Sequence, residues 1–147
     1  MVYFGKIYKG LMSMVNYITG DNGCGKTNAL VKNATELAQD EKRCIAFVDC
    51  GNDLQCLLPR SIRYINSQDY DIEGAISLYG FLSGICASNF DLTDIFVDCT
   101  MKIINNNKTS MEDFISIIND LSKATNVDFH FAYIDRFTPD LTHESLA

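Results

Sequence analysis

The chain is poor in basic residues, and this shortage excludes several classes of partner. Its 147 residues include 12 lysines and arginines against 19 aspartates and glutamates, so the formal net charge is -7. Nucleic acids and anionic membranes attract proteins through positively charged surfaces. We therefore expect neither a nucleic-acid partner nor a membrane partner.

The sequence also lacks the cysteine spacing that is typical of zinc or disulfide proteins. None of its six cysteines forms a C-x-x-C pair, and no histidine lies at zinc-ligand spacing from them. Several cysteines lie in apolar runs such as "CIAFVD" and "LSGICAS", where a free cysteine behaves as a small buried hydrophobe in a reducing compartment. We expect free thiols rather than a metal or disulfide framework.

A long apolar run is missing as well. The N-terminal stretch "MVYFGKIYKGLMSM" has lysines where a signal peptide has a continuous apolar segment. The longest uncharged stretch, residues 74–90, is too short and too rich in glycine and serine for a membrane span. We expect a cytoplasmic protein with one domain at residues 14–136, an N-terminal extension at 1–13 and a tail at 137–147.

The sequence does contain apolar runs that alternate with amphipathic runs. This alternation predicts an α/β fold in which helices cross over between parallel strands. The predicted strands cover residues 14–19, 44–49, 61–66, 94–98 and 127–135, and the predicted helices cover about 25–40, about 73–88 and a segment from Thr109. We expect three layers, with a mostly parallel sheet of four to five strands flanked by helices. Within the second helix, Gly80 and Gly84 predict a close approach to the sheet.

A glycine-rich segment, "GDNGCGKT" at residues 20–27, lies between the first strand and the first helix. It matches G-x-x-x-x-G-K-[ST], in which glycines let backbone N–H groups turn inward and the helix N-terminus adds partial positive charge. In such a loop Lys26 would bridge the β- and γ-phosphates, and the Thr27 hydroxyl would hold Mg²⁺. The pattern therefore predicts a nucleotide site. Its binding residues are Gly20, Asp21, Asn22, Gly23, Cys24, Gly25, Lys26, Thr27 and Asn28.

A phosphate site of this kind needs a carboxylate that organises Mg²⁺ at the C-terminal end of a nearby strand. Two residues, Asp49 and Asp98, directly end apolar strands and are the candidates. The tetrapeptide "FVDC" occurs at both places, at 47–50 and 96–99, which we interpret as two similar buried strand ends.

With these motifs the chain resembles a family of short P-loop proteins of Gram-positive anaerobes. Members are usually labelled hypothetical ATP-binding proteins and sometimes twitching-motility-type ATPases. The resemblance spans Met14 to about Ile134 and rests on "YITGDNGCGKT", on "IRYINSQDY" followed by "LYGFLSGI", and on "DIFVDCTMKII". It implies a RecA-like core that binds ATP and Mg²⁺, and it implies no established substrate.

The wider group of RecA-like and thymidine-kinase-like P-loop proteins also indicates which acid to prefer. In that group the acid ends a strand that follows another strand and helix, and a further strand is inserted beside the P-loop strand. This order favours Asp98, with Asp49 as the alternative, and makes residues 127–135 the inserted strand. Many hydrolytic members place glutamate after the aspartate to orient the attacking water. This chain has Cys99 there, where the resembled family often has glycine, so we expect slow hydrolysis.

The catalytic base is unknown from the sequence. Asp98 and Arg136 are candidates for a catalytic role, and Asp94, Asp49 and Asp135 could substitute for the missing base, although each also fits a structural role. Arg136 follows the last predicted strand, from which it could sense the γ-phosphate or reach a neighbouring subunit as an arginine finger.

The leading hypothesis is an ATP- and Mg²⁺-binding protein that hydrolyses ATP slowly, or with a protein partner, and acts as a nucleotide-dependent switch. One alternative is a nucleoside or small-molecule kinase that resembles thymidine kinase. Two features argue against a kinase: the chain is short for a lid over the acceptor, and it lacks the cysteine-zinc lasso typical of that family. Another is a non-catalytic module that binds nucleotide for stability. A protein partner or a homo-oligomer is compatible with all three.

Overall fold

The computed structural model describes residues 3–9, 14–20, 25–104 and 108–134. Six strands form one sheet: β1 (Tyr3–Lys9), β2 (Met14–Gly20), β3 (Ile45–Asp49), β4 (Arg63–Asn66), β5 (Asp94–Val97) and β6 (Asp128–Ile134). The α-helices are α1 (Lys26–Leu37), α2 (Ala75–Ser88), α3 (Thr100–Ile103) and α4 (Lys108–Thr125). Two short 3₁₀ helices cover Leu54–Leu57 and Ser67–Tyr70.

The strands follow the order β1-β2-β6-β5-β3-β4 across the sheet. Strands β2 to β6 are all parallel, so the predicted α/β class and the five predicted strands are confirmed. Strand β6 lies between β2 and β5, as predicted for the inserted strand. The sequence did not predict β1, which pairs antiparallel with β2 and lies within the stretch expected to be an extension.

The central strands owe their position to continuous apolar sequence. Every residue of β3 and of β5 is buried. Strands of a parallel sheet are covered by helices on both faces, so both alternating sets of side chains must be apolar. The runs "IAFV" and "IFV" meet this requirement, and each is followed by one of the two candidate aspartates.

Helices cover both faces of the sheet. On one face, α1 packs through Leu30 and Ala34 against a cluster that includes Ile18, Phe47 and Phe96. On the other face, α2 and α4 pack against the opposite set of strand side chains. That second cluster contains Leu78, Leu82, Met111, Phe114 and Ile118 from the helices and Val48, Val97, Phe129 and Phe131 from the strands.

Helix α2 corrects one prediction. Leu78 and Leu82 face the sheet, whereas Gly80 and Gly84 are exposed, and a Cβ atom added at either glycine would meet no atom within 4 Å. The prediction of a close approach to the sheet is therefore wrong. The reason is helical geometry, because a residue two positions along a helix is rotated by about 200° and so lies on the opposite side.

Among the described residues, no helix is both long enough and apolar enough to cross a lipid bilayer.

A charged cluster ties the amino ends of β5 and β6 together. Arg43 Nη1 lies 3.2 Å from Asp94 Oδ2 and 3.4 Å from Asp128 Oδ2, and His130 Nε2 lies 3.0 Å from Asp94 Oδ1. Burial by itself would raise the pKa of Asp94. The hydrogen bonds from His130 and Thr93 and the charge of Arg43 outweigh that effect, so the pKa of Asp94 is lowered and the buried carboxylate stays ionised.

We expect Asp94→Asn to destabilise the protein by about 3 kcal/mol at pH 7, because it breaks a buried ion pair. A carboxyl group whose pKa is lowered by folding contributes stability above its unfolded pKa, and this contribution is lost as the pH falls through the folded pKa. The deficit should therefore shrink below a pH of about 4. Urea unfolding of parent and variant at neutral and acid pH measures it.

The exposed Asp91 offers a matched control, since Asp91→Asn should change the free energy of unfolding by less than about 0.5 kcal/mol. The pKa of Asp128 is raised, first by burial and then by the charge of Asp94. Asp128 therefore contributes stability at acid pH that is lost toward neutral pH, which is opposite to the contribution of Asp94. A deficit for Asp94→Asn that is the same at neutral and acid pH would contradict this account.

Candidate functional site

The carboxyl ends of the parallel strands meet at one edge of the sheet, the edge at which open α/β sheets commonly bind ligands. Strand β2 ends there at Gly20, which is also the first residue of the glycine-rich segment that leads into α1. Strand β3 ends at Asp49, and Asp98 directly follows β5. The two candidate aspartates and the first turn of α1 therefore lie at the same edge.

The first turn of α1 follows a glycine and has no side-chain cap. Gly25 adopts a left-handed conformation with φ of 89°, which glycine reaches without the penalty of a Cβ atom. Glycine also has no side chain with which to cap the helix, and the amide of Ala29 makes the first intrahelical bond, to the carbonyl of Gly25 at 3.0 Å. No acidic residue lies in this turn, so its partial positive charge is not neutralised by a carboxylate of its own.

The hydroxyl of Thr27 donates a hydrogen bond to Asp98 Oδ2 at 3.0 Å. The two residues are 71 positions apart in the sequence. Asp98 is 2% exposed, and its other oxygen accepts a hydrogen bond from the amide of Cys99 at 2.9 Å. The strand order thus brings together the two residues predicted to organise Mg²⁺.

This pair fits the chemistry of Mg²⁺, which prefers oxygen ligands and is commonly held by one or two carboxylates together with substrate phosphates. Within the ranges that the structure describes, no three histidine, cysteine, aspartate or glutamate side chains are grouped closely enough to hold a metal ion.

Burial raises the pKa of Asp98. The hydrogen bonds from Thr27 and from the Cys99 amide act in the opposite direction, and the nearby charge of Asp49 raises the pKa further. The net effect is a carboxyl group whose ionised form is disfavoured. A bound cation would remove that cost, because opposite charge stabilises the carboxylate.

Asp49 has a different environment. It is fully buried, and its Oδ1 accepts a hydrogen bond from the amide of Cys50 at 2.7 Å. Its Oδ2 accepts bonds from the amide of Leu54 at 3.3 Å and from the Tyr64 hydroxyl at 2.8 Å. Burial, followed by this contact with Asp49, raises the pKa of Tyr64, so the phenol remains a donor. Asp49 is thus engaged in holding the loop that follows β3.

Cys99 follows Asp98 in a left-handed conformation with φ of 56°. Glycine adopts this conformation without penalty, whereas a residue with a Cβ atom such as cysteine is disfavoured in it. Burial, and then the charge of Asp98, raises the pKa of the Cys99 thiol to about 11. The thiol is therefore protonated at neutral pH and cannot act as a base.

Not every predicted site residue can be placed. Gly20 ends β2, Gly25 precedes α1, and Lys26, Thr27 and Asn28 form the start of that helix. Asp94 lies at the opposite edge of the sheet, in the Arg43 cluster. The residues outside the described ranges are Asp21, Asn22, Gly23, Cys24, Asp135 and Arg136.

Sequence reasoning missed one residue at this edge, because its contact depends on how β3 and β5 pair. The two "FVDC" tetrapeptides lie side by side in register, with Phe47 opposite Phe96 and Val48 opposite Val97. This register places the segments after β3 and β5 next to each other. The missed residue is Asn52, whose side-chain amide donates a hydrogen bond to the sulfur of Cys99 at 3.0 Å.

No protein-family model matches this chain, and a search of curated proteins finds no significant match.

We expect Asp98→Asn to stabilise the nucleotide-free protein at pH 7 by about 1 kcal/mol, because the amide removes the free-energy cost of burying a carboxylate. Substitutions that remove an unfavourable group from a binding site commonly stabilise a protein by such an amount. A carboxyl group whose pKa is raised by folding contributes stability below its unfolded pKa, and this is lost as the pH rises through the folded pKa. The advantage of the variant should therefore grow from acid to neutral pH. Urea unfolding without nucleotide measures it, and a variant less stable than the parent at pH 7 would refute the argument.

Proposed function

We propose that this protein binds ATP with Mg²⁺, hydrolyses it slowly or in response to a protein partner, and uses the bound nucleotide as a conformational switch. The observation that carries the proposal is the 3.0 Å hydrogen bond between the Thr27 hydroxyl and Asp98. It joins the end of the glycine-rich segment to a buried acid at the end of β5.

Binding would depend on groups at the start of α1. The amides of its first turn and the ammonium of Lys26 would hold the phosphates, in the manner of helix N-termini that bind anions. Thr27 and the carboxylate of Asp98 would orient the cation. Mg²⁺, when bound, neutralises charge on the β- and γ-phosphates.

Slow hydrolysis is expected from the groups that surround Asp98. A positioned general base typically contributes a factor of about 10² to 10⁴ in rate. Here the residue after Asp98 is a protonated thiol, and the buried Asp49 already accepts three hydrogen bonds from the protein. Neither group is suited to take a proton from water.

A switch requires that a change at Asp98 reach other parts of the fold. Asp98 leads through Cys99 into α3, and the carbonyl of Ile103 in α3 accepts a hydrogen bond from the amide of Gly74 at 2.8 Å. Gly74 is the residue that precedes α2. The candidate cation site is therefore connected through α3 to the start of α2 by covalent bonds and one hydrogen bond. A shift of Asp98 between the ATP-bound and ADP-bound states would move the start of α2 through this connection.

We predict that Lys26→Ala abolishes measurable affinity for ATP while the protein stays folded, because the phosphates lose their charged partner. Calorimetric titration with ATP, GTP and ADP, with and without Mg²⁺, measures it, and circular dichroism monitors the fold. Lys32→Ala removes an exposed lysine from the same helix and should bind as the parent does. Equal affinity in Lys26→Ala and Lys32→Ala would exclude the proposed phosphate site.

We further expect slow release of phosphate from ATP by the purified parent, well below the 1 s⁻¹ at the lower end of typical turnover numbers. Fast, partner-independent release would contradict the proposal. Transfer of the γ-phosphate to an added nucleoside or small acceptor would indicate a kinase instead. Equal thermal stabilisation by ATP and ADP without any turnover would indicate a non-catalytic module.

A further inference from the structure

Asn52 lies in the loop that connects β3 to the 3₁₀ helix Leu54–Leu57. Its side chain is exposed, and its Nδ2 donates to Cys99 Sγ at 3.0 Å. Cys99 is the residue next to Asp98, so the Asn52 amide lies close to the buried acid that accepts the hydrogen bond from Thr27.

The backbone of this loop is firmly held. The buried Asp49 accepts hydrogen bonds from the amides of Cys50 and Leu54, on either side of Asn52. The amide of Gly51 donates to Asn66 Oδ1 at 3.1 Å. Gly51 has φ of 73°, and a Cβ atom there would collide with the side chain of Gln68. Asn52 is therefore presented by a loop with few alternative conformations.

We propose that Asn52 orients the water that attacks the γ-phosphate. This inference rests on the ATPase function proposed above and names the residue that would serve it. With Nδ2 directed at Cys99, the amide oxygen Oδ1 is left as a hydrogen-bond acceptor for water. An amide can align water in this way, as a glutamine side chain does in small GTPases. An amide cannot take the proton of the water.

The reaction assigned to this geometry is simple hydrolysis. The water oxygen forms a bond to the γ-phosphorus, and the bond from that phosphorus to the oxygen bridging the β- and γ-phosphates breaks. The electron pair of the broken bond stays with ADP. One proton of the water stays on the transferred oxygen, and the other passes to another oxygen of the released phosphate or to solvent. No protein group is protonated, which agrees with a slow reaction.

The contact with Cys99 also permits Asn52 to adjust when a nucleotide arrives. A thiol is a weak hydrogen-bond acceptor, so the cost of shifting the amide away from sulfur is small.

Single-turnover hydrolysis, with protein in excess over ATP and Mg²⁺, tests the inference. Asn52→Ala should lower the rate about tenfold or more, as loss of a water-aligning group does, while ATP affinity stays within about twofold of the parent. Asn52→Asp keeps an oxygen acceptor at the same place and should retain or increase the rate. Asn89→Ala is the matched control, since Asn89 Nδ2 also approaches a cysteine sulfur, that of Cys44 at 3.6 Å.

A second readout does not depend on turnover. The side-chain amide signals of Asn52, assigned by comparison with Asn52→Ala, should shift in nitrogen-15 NMR spectra when a non-hydrolysable ATP analogue and Mg²⁺ are added. ADP should shift them less, because it lacks the γ-phosphate. Identical responses to both nucleotides would overturn the inference.

The outcomes separate this inference from the function on which it rests. Normal hydrolysis by Asn52→Ala, or a parent that binds ATP and never releases phosphate, overturns the role of Asn52 and leaves nucleotide binding standing. A parent that binds no nucleotide overturns both.

Discussion

The contact between Thr27 and Asp98 depends on the order of the strands. Helix α1 is the next element after β2 in the chain and packs over β2 and β6. Because β6 is inserted between β2 and β5, the hydrogen bond from Thr27 to the acid that follows β5 joins two strands that are not neighbours in the sheet. A sheet with β5 directly beside β2 would place the two side chains differently, so the candidate site is a consequence of the topology as well as of the motif.

The buried carboxylates at the amino ends and at the carboxyl ends of the strands have different environments. At the amino edge the buried Asp94 is paired with Arg43 and His130, and its lowered pKa indicates that ionisation stabilises the fold. At the carboxyl edge Asp98 has a raised pKa, and Cys99 adopts a left-handed conformation that is unfavourable for a non-glycine residue. Unfavourable features of this kind cluster at functional sites, where a ligand can relieve them.

The sequence predicted the five parallel strands because continuous apolar runs such as "IAFV" are required where helices cover both faces of a sheet. It also predicted Thr27 from the motif and two acids, Asp49 and Asp98, from the ends of such runs. The preference for Asp98 came from the resemblance, and Asp98 is the acid that Thr27 contacts. It failed at Gly80 and Gly84, where glycine was assumed to face the sheet although the helical period turns both outward. It also missed Asn52, because the contact with Cys99 depends on the register between β3 and β5 and on hydrogen bonds in a loop, which no local pattern encodes.

A double-mutant cycle on Thr27 and Asp98 tests the central claim most directly. The measured quantity is the increase in ATP affinity that Mg²⁺ produces, compared among the parent, Thr27→Val, Asp98→Asn and the double variant. If the two side chains organise one cation, each single variant should lose most of the increase and the double variant little more, so the effects should be strongly non-additive. Additive losses, or an ATP affinity that does not depend on Mg²⁺ in the parent, would contradict the account.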